Sequence, residues 1–144
     1  MTTPYHHTQR GTLMIAAMFA AAIVSAAAAW QIPISPARWI LVAFAVGFLI
    51  LGWLFSSLTV DVGTNELGWY FGPGMWRYRL ARDEIEDVRV VRNSWLQGFG
   101  IRMRPGFRLY NVSGLDAVEL RLKSGEIRRV GTDEAQQLAD ALKA

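Results

Sequence analysis

The stretch TLMIAAMFAAAIVSAAAAWQIPISPARWILVAFAVGFLILGWLFSS, residues 12–57, decides the architecture of this 144-residue chain. Thr12 to Trp30 carries no ionisable side chain, and neither does Trp39 to Val60. A helix needs about 20 apolar residues to cross a ~30 Å hydrocarbon core, and each run is long enough. Between them, Pro33 and Pro36 stop one helix and suit the first turn of the next. The pattern predicts an antiparallel hairpin of two transmembrane helices, about residues 12–30 and 37–57. Trp30 and Trp39 flank the link, where interfacial tryptophans sit.

Alanine dominates the first helix. Ala16/Ala20, Ala22/Ala26 and Ser25/Ala29 are small residues four apart, and Ala43 and Gly47 offer a matching face on the second helix. Small side chains let backbones approach closely. They predict tight packing within the hairpin or, alternatively, a homo-oligomer or protein partner docking on the Ala-rich first helix. Arg10, the apolar stretch and Ala27-Ala28-Ala29 are also compatible with a cleaved signal peptide. With or without cleavage, the C-terminal half is expected in the cytoplasm. No ionisable residue interrupts either run, which argues against a transport or proton pathway and for an anchor.

The rest of the chain has a different composition. All 12 acidic residues lie between Asp61 and Asp140, and 13 of the 15 basic residues lie between Arg77 and Lys143. That near balance excludes the electrostatic footprint of a dedicated nucleic-acid binder. With no cysteine, disulfides, thiolate metal sites and cysteine nucleophiles are excluded. From Leu58 the periodicity shortens to β segments bounded by turn residues, among them Gly63-Thr64-Asn65, Gly72-Pro73-Gly74 and Pro105-Gly106. Val118, Leu120 and Leu122 share one strand face, and Ser124-Gly125 is a hairpin turn. Thr132 is the expected N-cap of a final helix. Its Ala135, Leu138, Ala139 and Leu142 make one apolar stripe. The expectation is a polar N-terminal tail over residues 1–11, a hairpin over 12–57 and a soluble α+β domain over 58–144. That domain holds roughly seven antiparallel strands, as a strongly bent sheet or partly open barrel, closed by the C-terminal helix.

Several stretches carry a family resemblance: Gly100-Ile101-Arg102, Tyr110-Asn111-Val112-Ser113-Gly114, Val118-Glu119-Leu120, and Gly125 followed by Arg128 to Glu134, then Leu138 and Leu142. In order and spacing the chain resembles the bacterial pleckstrin-homology-like (PH-like) membrane proteins, from about Leu58 to Leu142 with the hairpin before it. The resemblance implies a seven-stranded bent sheet capped by a helix, a bacterial inner-membrane location and a binding role without a catalytic residue. Fold alone does not fix function.

Candidate chemistry is sparse. Arg102, Arg104 and Arg108 surround Pro105-Gly106, and guanidinium groups beside a loop can grip phosphate. They predict either a phospholipid head-group site on the membrane-facing edge or a solvated strand face paired with local acids. Trp95, Leu96 and Phe99 form an apolar loop that could meet the membrane interface or dock on the helices. Arg128-Arg129 lies beside Glu126 and Asp133 and is expected to be paired with them. The acidic corner Asp83, Glu84, Glu86 and Asp87 lacks the spacing of a cation loop. His6 and His7 sit in the tail, and no phosphate-binding glycine motif is present. No metal or cofactor is expected. The function expected is a non-enzymatic, membrane-anchored interaction module binding a protein partner or lipid at the cytoplasmic face. The alternatives are an anionic head-group sensor or an accessory subunit of a membrane enzyme or transporter.

Overall fold

A computed structural model describes residues 4–144. It begins with strand β1, Tyr5–Arg10, followed by helices α1, Thr12–Gln31, and α2, Pro36–Leu54. Both helices are long and apolar enough to cross a membrane. Their large side chains face outward, Phe19, Val24, Phe44 and Trp53 among them. A water-exposed surface of that kind would be an extended apolar patch of the sort soluble monomers avoid.

The helices pack along a stripe of threes and fours on α1 that includes Met14, Met18, Ala22, Ser25 and Ala29. Ala22 and Ala29 are buried, but Ala16, Ala20 and Ala26 face outward. The close approach on α2 is Gly52, where an added Cβ would sit 3.1 Å from Met18 Cβ. The expected matching face, Ala43 and Gly47, is therefore corrected: those residues line a separate groove, with nothing within 4 Å of a Cβ at Gly47.

Eight further strands follow: β2 Ser57–Val62, β3 Glu66–Phe71, β4 Met75–Ala81, β5 Ile85–Arg92, β6 Gly100–Arg104, β7 Phe107–Asn111, β8 Asp116–Leu122 and β9 Ile127–Gly131. Helix α3, Ala135–Lys143, ends the chain. The strands form a four-stranded sheet, β1-β2-β3-β4, and a five-stranded sheet, β5-β8-β9-β7-β6. The described strands close no barrel. The expectation of antiparallel pairing throughout is also corrected, because β7 and β9 run parallel. The β8–β9 hairpin turns at Ser124-Gly125 as expected, and its return strand lies between β8 and β7.

One core joins the sheets and the last helix. Leu58, Val60, Trp69 and Phe71 from the first sheet meet Tyr110, Val118, Leu120 and Val130 from the second. Ala135, Leu138, Ala139 and Leu142 of α3 are buried in the same cluster. The helix begins later than the sequence suggests. Thr132 Oγ1 accepts from the Glu134 backbone N–H at 3.1 Å, and Glu134, not Thr132, holds the cap position.

The polar tail is the largest correction. Tyr5–Arg10 pairs antiparallel with β2 over its whole length, from Tyr5↔Val62 to Arg10↔Ser57. Thr8 and Thr59 hydroxyls bond across the strands at 2.9 Å, and buried Gln9 donates to the Ser113 carbonyl at 3.0 Å. The hairpin is thus inserted between two neighbouring strands. Both of its ends lie on one side, and cleavage after Ala29 would remove β1 and leave β2 paired with β3 alone.

Register fixes which end of the sheets meets the helices. The proximal end holds Ser57, Phe71, Met75, Arg92, Gly100, Asn111 and Asp116; the distal end holds Val62, Leu80, Arg104, Phe107 and Leu122. The helix base touches the proximal end directly. The Gly11 N–H donates to the Ser56 carbonyl at 2.7 Å, and Thr12 and Ser113 hydroxyls lie 3.2 Å apart. The second helix stops at Leu54 rather than residue 57 because Phe55 leaves helical geometry and turns its ring onto the sheet.

Candidate functional site

The helix-proximal rim gathers aromatic and basic residues from segments far apart in sequence. The β3–β4 turn runs under the end of α2. At Gly72, whose φ is +49°, any side chain would collide with the Leu54 carbonyl. Beyond the turn, Trp76 has φ +46°, a conformation bulky residues rarely adopt. In that conformation its ring stacks on Phe55, centroids 5.1 Å apart and planes 23° apart. Phe55 in turn meets Phe71 edge-on at 5.2 Å, and a Cβ at Gly100 would lie 4.0 Å from the Phe55 ring. The helix end is thereby locked to both sheets.

The β5–β6 loop closes the rim. Asn93 N–H donates to the Leu115 carbonyl at 2.7 Å, and Ser94 and Gln97 cap a one-turn 3-10 helix, Trp95–Gln97. Arg129 holds this loop against the outer face of the five-stranded sheet. Its Nε donates to Glu119 at 2.7 Å, its Nη1 donates to Asn93 at 3.1 Å, and its guanidinium lies 5.2 Å from the Phe107 ring centre. The tip of this braced loop presents Trp95 and Leu96 with 72% and 73% of their surface exposed. Phe99 is half-buried beside them. An apolar pair left outside by a hydrogen-bonded loop has no role in the core of the chain that presents it.

The three sequence-predicted arginines do not form one site. Arg102 and Arg104 lie on the same face of β6, whereas Arg108 lies on the opposite, core-side face of β7. Arg102 reaches back to Gly98 on the rim loop. Arg104 and the Pro105-Gly106 turn are at the distal end, which corrects their expected place on the edge nearest the helices. At about 3.3 Å per residue, β6 carries Arg104 about 13 Å beyond Gly100. Arg108 pairs with Glu126 at 3.3 Å.

What the rim does hold is Arg10, Arg77 and Arg102, none with a carboxylate within 4.0 Å among the described residues. Arg77 donates to the Gly74 carbonyl at 3.1 Å and covers the Tyr70 ring. The carboxylates nearest this end, Asp116 and Glu119, are taken by Arg92 and Arg129. Glu66, Asp83, Glu84 and Glu126 lie towards the distal end. Sequence inspection misses Arg10, Arg77, Trp76 and Arg129 as rim residues, because only the sheet register brings them to the helix base. Arg129 is paired as expected, though with Glu119 rather than its sequence neighbours.

The quoted turn Tyr110 to Gly114 is structural. The Asn111 amide donates to the Gly114 carbonyl at 2.9 Å and accepts from the Ser113 N–H at 3.3 Å. The acidic corner is also engaged, with Glu86 on Arg121 and Asp87 on Arg89. His6 meets Asp61, and His7 lies 2.6 Å from Asp133. Among the described residues, no group of three metal-ligating side chains comes together. No family model and no curated protein matches the chain.

Proposed function

We propose that the chain is a membrane-anchored, non-enzymatic module whose helix-proximal rim rests on an anionic bilayer surface, with the β module on the cytoplasmic side. The observation that carries this reading is the braced loop holding Trp95 and Leu96 outside the protein at the base of two apolar helices. Tryptophan favours the membrane interface, and Trp53, Trp76 and Trp95 would form one belt, with Trp30 and Trp39 at the other end. Each rim arginine near an anionic surface contributes about 1 kcal/mol. Folding places Arg10, Arg77 and Arg102 on the β-module side and leaves Arg38 on the other. That asymmetry supports a cytoplasmic β module.

The absence of cysteine makes single-cysteine probes clean. Fluorophores at Leu96→Cys and Ser124→Cys, in the full chain in bilayers containing brominated anionic lipid, should report quenching at 96 and none at 124. Substituting Arg10, Arg77 and Arg102 with Gln should weaken the preference for anionic over neutral lipid. Equal quenching at both positions would overturn the reading. An impermeant thiol reagent reaching Ser124→Cys in intact cells would overturn the orientation.

A second reading, an accessory subunit of a membrane complex, is favoured by the groove on α2. It encloses about 420 Å³ and is lined by Ile40, Ala43, Phe44, Gly47, Phe48 and Leu51. Cross-linking of Gly47→Cys to a larger membrane protein in native membranes tests it.

A further inference from the structure

At the helix-distal end, two arginines lie side by side on the inner face of the five-stranded sheet. Arg108 and Arg128 are register partners on the parallel strands β7 and β9, so their side chains point the same way into the space between the sheets. Adjacent like charges are destabilising unless something answers them. Glu126 does so only in part: Arg128 Nε donates to its Oε1 at 2.8 Å, and Arg108 Nε lies 3.3 Å from the same oxygen. The trio keeps a net charge of +1. Although the Arg128 side chain is only 16% exposed, no Nη of either arginine donates a hydrogen bond among the described residues. None of these Nη atoms is sealed from solvent.

The wall beside them is short of acceptors too. Tyr110 Oη and Trp69 Nε1 are buried without a hydrogen-bond partner. The rings of Trp69, Tyr78 and Tyr110 pack mutually, with Tyr78 and Tyr110 centroids 4.6 Å apart. Arg108 lies beside both phenols, yet Tyr110 Oη makes no bond of proper geometry with it. Burial pushes the Tyr78 pKa up, and at neutral pH its hydroxyl keeps its proton, as a tyrosine's ordinarily does, and can donate. Two partly used guanidiniums and unpaired aromatic donors lack one kind of partner, an acceptor. For the buried Tyr110 Oη and Trp69 Nε1 this means the full desolvation penalty of an unmet donor, whereas Arg108, its side chain 40% exposed, is free to meet solvent or a ligand.

We propose that Arg108 and Arg128, backed by Tyr110 and Tyr78, form a binding site for a small soluble oxyanion, a phosphate or carboxylate group. Planar guanidiniums offer such groups paired N–H donors. The strand neighbours of the two arginines, Phe107 and Ile127, lie at the end of the sheets away from the helices, so the ligand comes from the aqueous phase and not from the lipid beneath the rim. The inference is independent of the rim's role.

Inorganic phosphate is the probe. Full-length chain in detergent is unfolded by heat while near-ultraviolet circular dichroism follows the Trp69–Tyr78–Tyr110 cluster. Chloride at matched ionic strength is the reference. Phosphate should raise Tm saturably by a few degrees and perturb the aromatic signal of the folded protein. Arg108→Gln and Tyr110→Phe should each reduce the apparent affinity at least several-fold, and Arg104→Gln, on the outer face, should leave it unchanged. No phosphate effect beyond chloride in the unmutated chain, or an equal effect in Arg108→Gln, would overturn the site. Binding to vesicles bearing a phosphomonoester lipid but not to inorganic phosphate would overturn the soluble source.

Discussion

The two ends of the β module use glycine and arginine to opposite effect. At the helix-proximal end two glycines lie where backbone meets backbone: a side chain at Gly72 would strike the Leu54 carbonyl, and one at Gly11 the Phe55 carbonyl. At the distal end Gly106 and Gly125 have positive φ but open space around them. The arginines divide similarly. Arg129 near the rim ties Glu119 and the loop together and Arg10, Arg77 and Arg102 around it have no carboxylate partner among the described residues, whereas Arg108 and Arg128 far from it share the one carboxylate of Glu126. The proximal end is built as a tight backbone joint ringed by arginines that face outward, and the distal end holds two arginines side by side on the inner face.

The joint can be broken most severely at Gly72. Gly72→Ala combines φ strain with a backbone collision, and unfolding of the β module should show a loss of about 3 kcal/mol or more. Gly106→Ala meets only the left-handed penalty and should cost about 1–2 kcal/mol. Equal costs would mean that the helix base is not pressed on the turn.

Leu138→Ala sharpens the comparison from a point that belongs to neither end. Leu138 is 1% exposed in the shared core, and its truncation should cost about 2–4 kcal/mol in denaturant unfolding. A cost below 1 kcal/mol would show that α3 caps the sheets loosely.

Much of this architecture was legible in residues 12–57 and in the alternation of Val118, Leu120 and Leu122, because lipid-length apolar runs and period-two faces are local signals. The stripe of α3 was legible for the same reason. Strand β1 was not. Tyr-His-His-Thr-Gln-Arg has no apolar alternation, and it becomes a strand only because β2 offers a free edge after a 46-residue excursion, residues 11–56. The rim was half-legible. The loop of Trp95, Leu96 and Phe99 stands out as apolar in a polar region, but its arginines come from β1, β4 and β6. The grouping of Arg102, Arg104 and Arg108 failed for a simple reason: period two sends Arg108 to the opposite face from its neighbours across the turn.

A smaller contrast lies between ion pairs. Arg129 and Glu119 have side chains 20% and 17% exposed, while Arg121 and Glu86 are 60% and 55% exposed. Arg129→Gln leaves Glu119 largely enclosed and unties the Trp95 loop, so it should cost about 2 kcal/mol and admit protease between Trp95 and Phe99. Arg121→Gln should cost under about 1 kcal/mol and leave proteolysis unchanged. Cleavage at the same rate in both would show that Arg129 does not brace the loop.

The least effect belongs to the edge strand that the hairpin leaves behind. Tyr5 Oη donates to Glu134 at 3.2 Å, tying β1 to the start of α3. Burial first, and then the bond to Glu134, push the Tyr5 pKa up to about 12. The folded protein therefore favours the neutral phenol. The stability this contributes is full below the unfolded value near 10 and is lost as pH rises through about 12. Between those values Tm should fall faster in the unmutated chain than in Tyr5→Phe, which has no phenol to ionise there. At neutral pH, Tyr5→Phe should cost no more than about 1 kcal/mol, the net worth of one hydrogen bond. Parallel Tm curves through that window would mean that β1 is held by its ladder with β2 alone. In that case its tie to α3 would add nothing to the joint.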